Sequence, residues 1–201
     1  MDKERPIEVQ QGTHAGDRVV QTLAAAFQND PALAWLLPDP VKRKRKLVPF
    51  FKAMVGQSMR NGQVLASRQG EAASLWYPPG DVKDGFVASL RDNLSMVGVF
   101  GASLPKGLAM AKAMYDHHPV PQADLYLRYV GIRPDEQGKG WGGKVIRAGI
   151  EIARQQGAGV LLETAEQYNV AIYSRLGFEI ISEWEVPDCG PKFWTMRRPF
   201  R

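Results

Sequence analysis

Four glycines fall within seven residues at Gln137-Gly138-Lys139-Gly140-Trp141-Gly142-Gly143, between two runs of different kinds. Before them, Asp124 to Ile132 reads as a strand, closed by Pro134. After them, Val145, Ile146, Gly149, Ile150 and Ala153 share one face of a helix expected from about Gly140 to Gln156. The segment is therefore a tight strand-to-helix turn, in which glycine lets the backbone bend sharply and approach a ligand with no Cβ in the way. The first N–H groups of the helix have no internal acceptor, and the helix dipole adds positive potential. Such a turn is an anion site suited to a pyrophosphate, and Lys139 supplies a full charge beside it.

Rival phosphate motifs can be tested on the residues. A P-loop requires Gly-Lys followed by Ser or Thr, whereas Gly143-Lys144 is followed by Val145. Gly138, Gly140 and Gly143 match the dinucleotide spacing, with Glu163 at a tolerable distance, yet that motif belongs at the start of a parallel sheet and this one lies in the final third of the chain. A glycine-rich connection without a ligand is the remaining alternative.

The rest of the chain places the turn within a mixed order of elements. A strand over about 6–10 leads to a helix with Asp17 as cap and Val19, Val20, Leu23 and Phe27 on one face, stopped by Asn29-Asp30-Pro31. A second helix carries Leu47, Phe50, Phe51, Met54 and Val55, and the basic run Lys42 to Lys46 is its solvated start. Val64 to Ser67 and Ala72 to Tyr77 form a hairpin across Gln69-Gly70-Glu71. Two helices follow, one with Phe86, Leu90, Leu94 and Val97, the other with Leu104, Leu108, Ala111 and Tyr115, divided at Gly98, Gly101 and Pro105. Beyond the glycine turn come a strand at Val160 to Thr164, a helix from Asn169 to Gly177, and strands at Phe178 to Val186 and Phe193 to Met196. Strands and helices that do not alternate strictly point to an α+β sheet with helices on its faces.

Composition sets the class. With 201 residues, 44% apolar and 23% charged, the chain is expected to fold as one domain over 1–201. A lone Cys189 and a charged start without a secretory apolar core point to the cytoplasm, and no apolar run is long enough to span a bilayer. A net charge of +5 favours anionic partners without choosing among them.

Two further blocks follow the turn: Leu162-Glu163-Thr164, then Asn169-Val170-Ala171-Ile172-Tyr173 with Arg175-Leu176-Gly177-Phe178. Together with Gln137, Gly140 and Gly142 in a Gln/Arg-x-x-Gly-x-Gly/Ala pattern, they resemble the GNAT superfamily of N-acetyltransferases. Thr22 to Phe27 and Glu183 to Arg198 look like its puromycin N-acetyltransferase-like members. The resemblance implies a GNAT-like central sheet, mixed and mostly antiparallel, flanked by helices. It implies acetyl-CoA (coenzyme A) as cosubstrate, with backbone contacts from Val130, Gly131 and Ile132 to the pantetheine and acetyl group. Gln137, Gly138, Lys139, Gly140, Trp141, Gly142 and Gly143 would wrap the pyrophosphate, Asn169 would meet the pantetheine arm, and Tyr173 would stand near the sulfur.

Acetyl transfer needs a neutral amine, a donor to the oxyanion and a proton for the departing thiolate. Tyr173 is the candidate acid. Strand alternation puts Tyr126, Arg128 and Val130 on one face, which offers no carboxylate, so Glu163 on the next strand is the candidate base and His118 the second. A lysine-like amine costs about 4 to 5 kcal/mol to deprotonate at pH 7 and an α-amine about 1, so a water chain suffices for the latter. Trp35, Trp76, Tyr77 and the region from Asp81 to Tyr115 are expected to wall the acceptor site. Cys189 reads as a turn residue, and no cluster has metal-ligand spacing. The expected partner is a small-molecule primary amine, to a monomer or homodimer, with no membrane and no nucleic acid. The alternative is a catalytically silent coenzyme A-binding or nucleic-acid-binding module working through Lys42 to Lys46.

Overall fold

The computed structural model describes residues 7–9, 13–78, 98–118 and 124–200. The expected helix with Phe86, Leu90, Leu94 and Val97, and the stop at Pro79-Gly80, lie outside them.

Among the described residues, seven strands form one sheet in the order β1-β2-β3-β4-β5-β7-β6. They are β1 (Ile7–Val9), β2 (Gln63–Ser67), β3 (Ala72–Tyr77), β4 (Leu125–Ile132), β5 (Val160–Thr164), β6 (Glu179–Glu185) and β7 (Lys192–Arg198). Every neighbouring pair is antiparallel except β4 with β5, so the expected mixed, mostly antiparallel α+β sheet is what the chain adopts. All six residues of β3 are buried because helices cover both faces.

The helices are α1 (Thr13–Ala26), α2 (Pro31–Leu36), α3 (Pro40–Asn61), α4 (Leu104–His117), α5 (Trp141–Gln155) and α6 (Gln167–Arg175). One face of the sheet packs on α1, α2 and α3 through Val19, Leu23, Leu47, Phe51 and Met54. The other packs on α5, where Trp141, Val145, Ile146 and Ala153 meet Trp76, Leu125, Leu127 and Leu162. Trp76 is fully buried, and its indole Nε1 donates to Ser74 Oγ at 2.7 Å. Among the described residues, no helix is long and apolar enough to cross a membrane.

Several boundaries differ from the expectations above. Helix α1 begins at Thr13, so Asp17 lies inside it, exposed, and is not its cap. Asn29-Asp30-Pro31 does more than stop α1: Asp30 caps α2, its Oδ1 accepting the Leu33 N–H at 2.9 Å, and Pro31 takes the first helical position, where its missing N–H costs nothing. Asp39 and Pro40 repeat this arrangement at α3. In the basic run, Arg43 is buried rather than solvated, donating to Gln28 O at 2.7 Å and Leu37 O at 2.6 Å, and so it ties together both ends of the α2 segment. Helix α4 buries Gly107, Met110, Ala111 and Ala113, while Leu108 and Tyr115 face solvent, one step round from the expected stripe.

Candidate active site

Strands β4 and β5 pair only from Leu125–Val160 to Leu127–Leu162. Beyond that point β4 stays with β3 and β5 stays with β7, so the sheet splits and two cavities open at the split. An irregularity sits at the same place. Leu75 pairs with Tyr129 and Trp76 with Leu127, which leaves Arg128 as an extra residue in β4. That bulge overturns the expected shared face of Tyr126, Arg128 and Val130. Tyr129 packs with Phe27, Phe50 and Phe51, the Arg128 guanidinium lies 5.2 Å from the Tyr77 ring, and Val130 packs with the α5 cluster.

The first cavity is a groove of about 820 Å³ along α5, the glycine turn and α6. Ten of the expected cofactor residues line it: Val130, Gly131, Ile132, Gln137, Gly138, Gly140, Trp141, Gly142, Gly143 and Asn169. Gly138 and Gly140 have φ of 77° and 80°, values that glycine alone adopts readily, and a Cβ at either would enter open space. The first helical bond in the turn runs from Lys144 N to Gly140 O at 3.2 Å, so the N–H groups of Trp141, Gly142 and Gly143 have no acceptor inside the helix. Glu136 braces the turn, accepting from Trp141 Nε1 at 3.2 Å and pairing with Lys139 Nζ at 3.1 Å. Lys139 is thus held at the rim and does not line the groove. Arg175 does line it, and the Arg147 guanidinium lies over Gly143; neither carries a local mark of a cofactor contact in the sequence. Open glycines, free N–H groups and nearby cations fit a pyrophosphate.

The second cavity, about 100 Å³, lies across the split. Phe27, Leu33, Leu36, Phe50, Phe100, Met110, Met114 and Phe193 give it apolar walls, and Asp30, Arg128, Glu163 and Tyr173 give it polar groups. The expected wall of Trp35, Trp76 and Tyr77 is corrected by this lining. Trp76 is under α5, Tyr77 is buried beside Tyr126 and Leu161, and Trp35 packs beneath Lys106. From Asp81 to Tyr115, the described residues contribute Phe100, Met110 and Met114.

Glu163 lines this cavity with both oxygens engaged. Oε1 lies 3.0 Å from His118 Nδ1 and Oε2 accepts the Tyr126 hydroxyl at 2.5 Å. The structure therefore joins both candidate bases in one cluster. Burial, reinforced by the Glu163 charge, holds the Tyr126 phenol well above its ordinary range. Tyr173 is buried against Phe178 and lines this second cavity rather than the groove. Burial, with the Asp30 charge in addition, raises its phenol as well, so it keeps its proton at neutral pH.

The two cavities meet at the four residues that line both: Phe27, Asp30, Val130 and Asn169. The groove thus runs from the glycine turn to a small apolar chamber, with Asp30 where they join and Glu163 and Tyr173 in the chamber beyond.

Known proteins share this architecture. A family model described as "Acetyltransferase (GNAT) family" matches residues 68–178. The chain is 28% identical over 177 residues to an uncharacterized N-acetyltransferase of Schizosaccharomyces pombe, covering 80% of this chain and 69% of that protein. It is 42% identical over 67 residues to an L-methionine sulfoximine/L-methionine sulfone acetyltransferase of Pseudomonas aeruginosa, covering 32% of this chain and 38% of that protein. A solved structure from Corynebacterium glutamicum, of histone acetyltransferase HPA2 and related acetyltransferase, superposes with a TM-score of 0.71 at 25% identity, covering 98% of this chain and 97% of that one.

Proposed function

The chain belongs to the GNAT acetyltransferase family, and from that premise we propose that it acetylates a primary amine of a small molecule by direct attack. It is an acetyl-transferring enzyme, and acetyl-CoA is its cosubstrate. The observation that carries the finer reading is the continuity of the two cavities at Phe27, Asp30, Val130 and Asn169.

In this reading, the backbone N–H groups from Gln137 to Gly143 hold the pyrophosphate, with Lys139 adding charge from the rim. The edge of β4 at Val130, Gly131 and Ile132, beyond its pairing with β5, and the side chain of Asn169 align the pantetheine arm. The bound cosubstrate supplies an activated acetyl carbonyl at the junction. Tyr173, protonated and desolvated, donates to the departing sulfur. Glu163 gives the chamber a negative charge that draws an ammonium inward, and its bonds to Tyr126 and His118 fix it in the chamber wall. Apolar walls with carboxylates at one end suit a compact organic amine. The relative from Pseudomonas is named for small molecules that carry one. Residues 1–201 act as one acyltransferase domain, and the lone Cys189 suits the reducing cytoplasm.

The silent or nucleic-acid-binding reading keeps only part of its surface. Arg43 is buried, Lys46 bonds to Gly98 O, and only Lys42, Lys44 and Arg45 of the run remain exposed.

The test is amine-dependent release of free thiol from acetyl-CoA across a panel of alkylamines, amino-acid derivatives and antibiotic-type amines. The antibiotic-type amines are included for the puromycin N-acetyltransferase-like segments. Release stimulated by at least one amine supports the reading. No stimulation, combined with tight DNA or RNA binding at physiological salt, contradicts it. Tyr173→Phe is expected to lower kcat about 100-fold while leaving coenzyme A affinity within about twofold. Equal kcat in the two proteins rules out the donor role.

A further inference from the structure

We propose that Asp30 is the group that takes the proton from the acceptor amine, which makes it a catalytic residue rather than only the cap of α2. The assignment rests on the acetyl-transfer reading of the site. Among the described residues, Asp30 is the one carboxylate that lines both cavities; Glu163 lines only the chamber, with each of its oxygens already bonded. An amine attacking a carbonyl carbon at the junction must present its nitrogen there, which places its departing proton beside Asp30.

The fold holds this carboxylate in place. Oδ1 accepts the Leu33 N–H at 2.9 Å, Pro31 fixes the start of α2, and the Arg43 guanidinium bonds to carbonyls on either side of the segment. The titratable groups facing it are Glu166 from the β5–α6 connection, Tyr173 from α6 and Tyr129 from β4, with Arg128 and Glu163 across the chamber. Arg128 is already engaged by Gln57 and Tyr77. Burial, with the Glu166 charge in addition, raises the Asp30 carboxyl to about 6, against the lowering effect of its backbone hydrogen bonds. A base of that strength is ionised at pH 7 yet accepts a proton more readily than an ordinary aspartate does.

The step balances. The amine nitrogen bonds to the thioester carbonyl carbon, and the carbon–sulfur bond breaks with its electron pair on sulfur. Asp30 takes the proton lost by nitrogen, Tyr173 gives one to sulfur, and solvent restores both groups.

Asparagine caps helices as well as aspartate does, so Asp30→Asn removes the base and keeps the cap, whereas Asp30→Ala removes both. The rate test uses phenethylamine and glycinamide, whose amines differ in basicity, at saturating acetyl-CoA. In the unmodified enzyme, kcat/KM is expected to fall below a midpoint near 6 with both amines, because the limb belongs to the protein. D30N is expected to lose about 100- to 1000-fold and that limb with it, while coenzyme A affinity stays within about twofold and E163Q keeps the limb. A carboxyl raised in the folded state binds its proton more tightly than in the unfolded chain, so stability falls as pH climbs from about 4 to about 6 and stays lower above. D30N, which has no charge to bury, is therefore expected to melt no lower than the unmodified protein at pH 8, and D30A to melt lower than D30N.

Activity of D30N within about threefold of the unmodified enzyme with D30A defective, or a limb that moves with the amine, overturns the assignment and leaves Asp30 as a cap. If neither amine is acetylated, the acetyl-transfer reading fails for those probes, and the assignment is read from carbon-13 NMR titration of labelled aspartates with coenzyme A bound. A resonance absent from D30N is then expected to titrate near 6, and a midpoint near the ordinary value of about 4 overturns it.

Discussion

Replacing Gly149 by alanine is expected to destabilise the protein by about 3 kcal/mol, near the upper end of the cost of overpacking a core. A Cβ at that position would lie 2.0 Å from Cζ2 of Trp76, far inside van der Waals contact. Neither partner can give way easily: Trp76 is fully buried on the central strand β3 with its indole bonded to Ser74, and Gly149 sits in the buried face of α5. At this chain length, that loss corresponds to a fall in melting temperature of roughly 6 to 12 °C. Trp76→Phe removes the part of the indole that the new methyl would strike. In G149A/W76F the two changes are therefore expected to cost less together than their sum, as contacting residues do. Full additivity in thermal or urea unfolding would mean that α5 does not rest on Trp76 through Gly149. Function is linked to this packing, because the same helix carries the glycine turn at its N-terminus.

Alanine at both Gly138 and Gly140 is expected to weaken coenzyme A binding about 30- to 1000-fold, since a left-handed conformation costs about 1 to 2 kcal/mol per non-glycine residue. Both glycines have positive φ, and neither side chain would meet a neighbour. The effect is therefore conformational rather than steric: the turn relaxes to negative φ, and its N–H groups change direction. Global stability is expected to change little, because the relaxed turn is on the surface and α5 keeps its buried face. Calorimetric titration with coenzyme A reads the first effect and thermal unfolding the second. Unchanged affinity would mean that the turn does not hold the pyrophosphate.

The turn, α5 and β5 were legible in the sequence because each carries a local mark: glycine spacing, a stripe at 3.6 residues, and an unbroken apolar run from Val160 to Leu162. The expected cofactor residues, which came from the glycine turn and from the family resemblance, line one groove apart from Lys139 at the rim and Tyr173 across the junction. What stayed hidden has no local signature. The extra residue in β4 at Arg128 is an ordinary amino acid, and only its pairing with β3 reveals it. On β3 every position is buried, so alternation could not tell which face Trp76 or Tyr77 takes. Asp30-Pro31 stops one helix and starts another, and reading it as a stop alone concealed α2 and the carboxylate at the junction. The chamber's apolar walls come from elements as distant as α2, α3, α4 and β7, which only the completed fold assembles.

The most direct test of the account is a crystal structure of the protein with acetyl-CoA. The pyrophosphate is expected within hydrogen-bonding distance of the N–H groups from Gln137 to Gly143, the pantetheine between Val130 to Ile132 and Asn169, and the thioester at the junction beside Asp30 and Tyr173. A cosubstrate bound outside the split between β4 and β5, or a thioester pointing away from the chamber, would contradict it.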